Sequence, residues 1–154
     1  MRPKQRDLTE RLAPDECWEL LDRTVVGRLA VIVGEHPEIF PVNYVVDQNT
    51  IIFRTGFGTK LWSTVRDQCA LEIDGYDAVA ASAWSVMARG RAELVLDPGQ
   101  QAAAGALHLD PWQPGDKNHY LRLTPESLTG RRFKTTRPDI WNTPDSDART
   151  SSFH

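Results

Sequence analysis

The chain has 154 residues, 40% hydrophobic and 25% charged, with a formal net charge of −3 and a pI near 5.8. That length suits one domain with a buried core, and the acidic balance lacks the basic surplus of a nucleic-acid binder. No apolar run approaches the roughly 20 residues that a membrane-spanning helix needs, and the opening Met1-Arg-Pro-Lys-Gln-Arg-Asp7 has no apolar core of a secretory signal. No nucleic-acid or membrane partner is therefore expected, and the expected location is the cytoplasm.

Residues 1–10 are polar and are expected to be mobile. A helix is predicted over Pro14–Asp22. Pro14 suits its first turn, Asp15 and Glu16 complement its dipole, and Cys17, Leu20 and Leu21 recur at helical spacing. Strands are predicted over Val25–Val33, Glu38–Val46 and Thr50–Arg54. They are joined by turns at Gly34-Glu-His-Pro37 and Asp47-Gln-Asn49, which are hairpin signals. A helix from Thr59 to about Asp67 interrupts the sheet, and Ala70–Asp74 is a fourth strand.

The longest predicted strand is Ser82–Leu96. Trp84, Val86, Ala88, Gly90, Ala92, Leu94 and Leu96 fall on one face, and Ser85, Met87, Arg89, Arg91 and Glu93 on the other. The small residues Ala88, Gly90 and Ala92 let a sheet curl tightly, as a small barrel needs. Gln100–Leu107 reads as a helix, 110–116 as a loop, Tyr120–Leu123 as a last strand and Pro125–Leu128 as a single helical turn. The expected organisation is one domain over residues 11–141 and a disordered polar tail over 142–154. The fold class is mainly β (α+β): a six-stranded antiparallel split β-barrel with a few short peripheral helices.

One stretch carries chemistry: Ile51-Ile-Phe-Arg-Thr-Gly-Phe-Gly-Thr-Lys-Leu61. It reads as a strand, a glycine-broken loop and a helix start. A helix start offers unpaired N–H groups and a positive dipole end. Thr59 supplies a cap, and Arg54 and Lys60 add fixed positive charge. Those donors make a phosphate-sized anion site. Gly56-Phe-Gly-Thr-Lys60 lacks the four-residue gap of a nucleoside-triphosphate loop. The cysteines Cys17 and Cys69 and the histidines His36, His108 and His119 show no metal-ligand spacing. Asn43 in an apolar strand needs hydrogen-bond partners. Trp84 reads equally as barrel-mouth packing or as a cofactor contact.

The run Val26-Gly-Arg-Leu-Ala30, then Phe40-Pro-Val-Asn-Tyr44, then Phe53-Arg-Thr55 with Gly58-Thr-Lys-Leu61, then Trp84-Ser-Val86 and Arg89-Gly-Arg-Ala92 resembles the pyridoxamine 5'-phosphate oxidase-like split-barrel family. It is most similar to the short actinobacterial-type members, over roughly residues 12–133. The resemblance implies a homodimeric split barrel that binds FMN, or in some branches a deazaflavin or haem, in clefts between subunits. It implies that Pro41, Val42 and Asn43 lie along the isoalloxazine. Arg54 and Thr55 would approach the ribityl chain and phosphate. Thr59 and Lys60 would hold the phosphate, with Leu61 beside them in the same motif. Trp84, Ser85 and Val86 would line the ring from another strand.

The implied activity is a flavin-dependent oxidoreductase that moves a hydride to or from a small organic substrate, with no catalytic side chain and no metal required. A non-catalytic flavin- or haem-binding split barrel is the alternative. The family's oxidases of pyridoxamine phosphate carry an Arg-x-His motif near the C-terminus. Here the comparable region is Thr129-Gly-Arg-Arg-Phe133, so vitamin B6 oxidation is not expected.

Overall fold

The computed structural model describes residues 9–55, 65–107 and 119–135. Among these residues seven strands and two helices fall in the order β1 (Thr9–Arg11), α1 (Pro14–Arg23), β2 (Val26–Val33), β3 (His36–Asp47), β4 (Thr50–Thr55), β5 (Val65–Asp77), β6 (Ser82–Leu94), α2 (Pro98–Ala106) and β7 (His119–Lys134). All pairings are antiparallel, in the sheet order β1-β7-β4-β3-β2-β5-β6. β6 also pairs with β7, from Ser82↔Lys134 to Leu94↔Leu121. That pairing closes six strands into a ring and abolishes their free edges. The expected split barrel is thus present, with β1 added along the far half of β7.

Period-two burial explains the closure. On β6, Val86, Ala88, Gly90 and Ala92 are buried, while Met87, Arg89, Arg91 and Glu93 are exposed. Leu29, Ile51, Phe53, Leu71, Ala88, Leu121 and Leu123 fill the interior with no measurable exposure. β4 is buried on both faces, because Ile52 turns outward into a second cluster with Ala104, Val45, Leu107 and Tyr120 beneath α2. Asp97 caps α2 by accepting from the Gln100 N–H at 3.0 Å, and Pro98 takes its first turn.

α1 closes one end of the barrel with Cys17 and Leu21. Burial is the larger of two effects that push the Cys17 thiol upward; the nearby Glu16 carboxylate is the other. The helix's last carbonyls find partners: the N–H and Oγ1 of Thr24 both donate to Leu20 O, and Tyr44 Oη donates to Leu21 O at 2.7 Å. Outside the barrel, Arg122 Nη1 donates to Thr50 Oγ1 at 2.6 Å and to Asp47 Oδ2 at 3.3 Å, tying β7 to the β3–β4 turn. Gln48 and Asn49 in that turn have φ of 49° and 59°, as a two-residue hairpin of type I′ requires.

Several expectations change. Pro125–Leu128 is not a helical turn but the middle of β7. The register moves from Arg89↔Ser127 to Gly90↔Pro125, which leaves Glu126 as the extra residue of a bulge. A side chain at Gly90 would run into the Thr124 carbonyl oxygen, so only glycine admits this close approach. Pro125 has no N–H to lose from the ladder, which suits a bulge.

Val65–Asp67 belongs to β5 rather than to a helix, and β5 is far longer than Ala70–Asp74. The rest of the predicted helix, the 110–116 loop and the tail lie outside the described residues. His36 and Pro37 open β3, so the preceding turn is shorter than expected. Thr9 and Glu10 form strand rather than mobile lead-in. β6 ends at Leu94, so Val95 takes the buried place at 5% exposure and Leu96 is 68% exposed.

Candidate functional site

On β3, alternation turns Val42 and Tyr44 into the core, at 7% and 4% exposure, and leaves Pro41 exposed and Asn43 half-buried on the outer face. On β4, Phe53 points inward and Arg54 outward. Tyr44↔Phe53 is the last pair of the β3–β4 ladder, and Asn43 and Arg54 are the next residue along each of those antiparallel strands. Arg54 pairs with Tyr120 on the next strand, and its guanidinium lies 5.5 Å from the centre of the Tyr120 ring. That contact is a cation–π interaction that fixes the arginine. Thr55 ends β4 opposite His119. Thr59, Lys60 and Leu61 lie outside the described residues. Asn43, Arg54 and Tyr120 therefore form one row across β3, β4 and β7, beside the chain's exit toward residues 56–64.

Trp84, Ser85 and Val86 stand elsewhere. In the ring β7-β4-β3-β2-β5-β6, β6 faces β3 across the barrel. Val86 is 1% exposed and packs in the core. Trp84 faces inward at the barrel mouth, partly buried against the core, and its indole covers Gly75, its cross-strand partner. A side chain on Gly75 would occupy the space the indole fills. Ser85 is half-buried on the outer face. One chain thus gathers Asn43 and Arg54 and holds the Trp84–Val86 wall on its opposite side.

The outer face of β2 and β5 carries a charged cluster that motif order does not reveal. Arg28 Nη1 lies 3.0 Å from Glu72 Oε2 and 3.2 Å from Asp74 Oδ2. Hydrogen bonding to Glu72, with Asp74 beside it, raises the Arg28 guanidinium above its ordinary value. Burial raises the Glu72 carboxyl, and the neighbouring Asp74 charge adds to that; together they outweigh Arg28. The signal that exposes this cluster is strand parity, which puts Arg28, Glu72 and Asp74 on one face once β2 and β5 are paired.

Beside the cluster lies a shallow depression of about 230 Å³, lined by Ala30, Ile32, Pro37, Ala70, Cys69 and Arg89 among others. Ile39 and Met87 are exposed nearby on the same outer face, at 66% and 37%. Burial pushes the Cys69 thiol up to about 11. Among the described residues no three His, Cys, Asp or Glu side chains converge as a metal site. None of the described helices is long and apolar enough to cross a membrane.

Residues 13–132 match the sequence profile of the family described as pyridoxamine 5'-phosphate oxidase. The Mycobacterium tuberculosis H37Rv protein Rv0080 is 33% identical over 134 residues, covering 83% of this chain and 87% of that one. A Corynebacterium glutamicum structure assigned to the pyridoxamine 5'-phosphate oxidases superposes with a TM-score of 0.77 at 35% identity, over 84% of this chain and 96% of that one. The FAD binding protein of Mycobacterium smegmatis superposes with a TM-score of 0.66 at 38% identity, over 80% of this chain and 97% of that one. Sharing that profile over most of its length, this chain belongs to the pyridoxamine 5'-phosphate oxidase family.

Proposed function

We propose that the protein binds a flavin and serves as a flavin-dependent oxidoreductase acting on a small organic substrate other than pyridoxamine phosphate. The observation that carries this reading is the row Asn43–Arg54–Tyr120. It sets a braced guanidinium and a polar amide at the strand end that leads into the Thr59-Lys60-Leu61 segment. A flavin's phosphate wants an arginine able to grip two oxygens. Its flat ring wants an apolar surface with a few polar groups, and Pro41 beside Asn43 on the outer face of β3 offers both. The 38% identical FAD binding protein of Mycobacterium smegmatis adds to the case for a flavin. The cofactor supplies the hydride chemistry. The chain's part is to bind, orient and shield it. FMN is the form that the Arg54–Lys60 segment alone accounts for.

A homodimer belongs to the same reading. Pro41–Asn43 and Trp84–Val86 lie on opposite walls of one barrel, so a ring that touches both needs β6 from a second copy. The exposed Ile39 and Met87 and the apolar depression between them suit that contact.

Purified protein should show a flavin absorption spectrum, or should quench flavin fluorescence on titration. Arg54→Gln should weaken flavin binding by roughly 1.5–3 kcal/mol, about 10- to 150-fold. Protein that ignores every flavin added would overturn the reading. Steady oxidation of a reduced nicotinamide with a quinone or nitro acceptor separates an enzyme from a binding protein.

A further inference from the structure

β1 and β7 pair in the register Thr9↔Phe133, Glu10↔Arg132 and Arg11↔Arg131. The middle pair is complementary: Arg132 Nη1 lies 4.0 Å from Glu10 Oε2 and 3.4 Å from Glu16 Oε2. The next pair sets two arginines opposite each other. Like charges facing across a ladder destabilise it. Both side chains are exposed, and among the described residues neither has a carboxylate within ion-pair distance. On its other side Arg131 faces Ser85 of β6. Arg131 and Ser85 alternate with the buried Gly130 and Val86, so both look outward. The Ser85 hydroxyl makes no hydrogen bond among the described residues. Asp74, the next residue in that row, has its carboxylate on Arg28 at 3.2 Å.

Two residues along each strand, the same outer face carries Thr9, Phe133, Ala83 and Tyr76 in a row. Phe133 is 41% exposed and Tyr76 38% exposed. Two guanidinium forks and a hydroxyl therefore sit beside two exposed aromatic rings separated by a small residue. Guanidinium forks match phosphate oxygens two at a time, and aromatic faces stack flat heterocycles without regard to their sequence.

We propose that Arg11, Arg131 and Ser85 hold the phosphoryl group of a nucleotide whose base rests against Phe133 and Tyr76. The ligand class is a nucleoside phosphate, for which AMP serves as the probe. It is either free or the nucleotide end of a dinucleotide. The site lies on β1, β6 and β7 and shares only Ser85 with the proposed flavin contacts; neither of its arginines is among them.

The test is calorimetric titration of AMP into the purified full-length chain. Wild type should bind AMP saturably and adenosine at least tenfold more weakly. Arg11→Gln and Arg131→Gln should each lower AMP affinity at least tenfold, and Arg131→Lys should fall between. Phe133→Ser should weaken AMP more than inorganic phosphate. Glu10→Gln, one position away on β1, should leave AMP binding unchanged.

In phosphate-free buffer Arg131→Gln should melt no lower than wild type, because a like-charge contact is relieved. That check separates a lost site from a lost fold. If the double variant Arg11→Gln with Arg131→Gln loses FAD affinity but keeps FMN affinity, the nucleotide is the end of the dinucleotide. If it loses AMP alone, the ligand is a free nucleotide. Absence of saturable AMP binding by wild type, or equal binding by the double variant, overturns the proposal and leaves the flavin reading standing.

Discussion

Gly90 sets how closely β6 and β7 approach. Its missing side chain leaves room for the Thr124 carbonyl at the bulge. The obstacle to a larger residue is backbone, which cannot rotate aside. Gly90→Ala should therefore cost about 1–3 kcal/mol, read as a lower denaturant midpoint with an unchanged slope.

Glu72 makes a different statement, one about pH. Burial and Asp74 raise its folded-state value above the ordinary glutamate value. The folded state then holds the proton more tightly than the unfolded state between those two values. Wild-type stability from this group is greatest at low pH and falls as pH rises through that window. Glu72→Gln removes the titration, so the melting temperature of the variant minus that of wild type should grow as pH rises from the ordinary glutamate value upward. A difference that stays flat or shrinks would sink this assignment.

Between elements, the contact that holds α1 to the barrel is polar as well as apolar. Tyr44 is 4% exposed, and its hydroxyl is the partner of a helix-terminal carbonyl, Leu21 O. Burial pushes the Tyr44 phenol upward, so it stays a donor at every physiological pH. Tyr44→Phe keeps the ring but orphans that carbonyl. It should cost about 1–3 kcal/mol and should speed hydrogen exchange of α1 amides more than those of β5 or β6.

The same elements show what a linear pattern can carry. β6 was legible because its alternation of Val86, Ala88, Gly90 and Ala92 with Met87, Arg89, Arg91 and Glu93 is local. β7 was only half legible. Pro125, Glu126 and Ser127 look like a helix start until Gly90 is placed opposite them. The candidate site divides the same way. Arg54 beside the Gly56–Lys60 run is a local signal. Its bracing by Tyr120 and its neighbour Asn43 come from long-range pairing. Trp84 reads in the sequence as packing or as cofactor contact, and its packing partner, Gly75 beneath the indole, comes only from strand pairing.

At the scale of the molecule, one barrel carries two walls that face opposite ways. The Asn43–Arg54 row is on β3 and β4, and the Trp84–Ser85 wall is on β6. Between them, on β2 and β5, the outer face presents an apolar patch of Ala30, Ile32 and Ala70 beside the Arg28–Glu72–Asp74 cluster. Ile39 stands at its rim with 66% exposure. An apolar sheet face of this kind is unfavourable in water, and a second copy laid against it would bring the two walls within reach of one ligand.

The dimer and the flavin site should therefore fail together. Ile39→Glu puts a charge into the proposed contact without touching the core, so the barrel should still fold and melt cooperatively. The variant should sediment as a monomer where wild type sediments as a dimer, and its flavin affinity should fall at least tenfold although Ile39 is not among the proposed flavin contacts. A monomeric wild type, or a monomeric variant that still binds flavin at full strength, would show that a single chain completes the site. Trp84, Ser85 and Val86 would then be barrel structure alone.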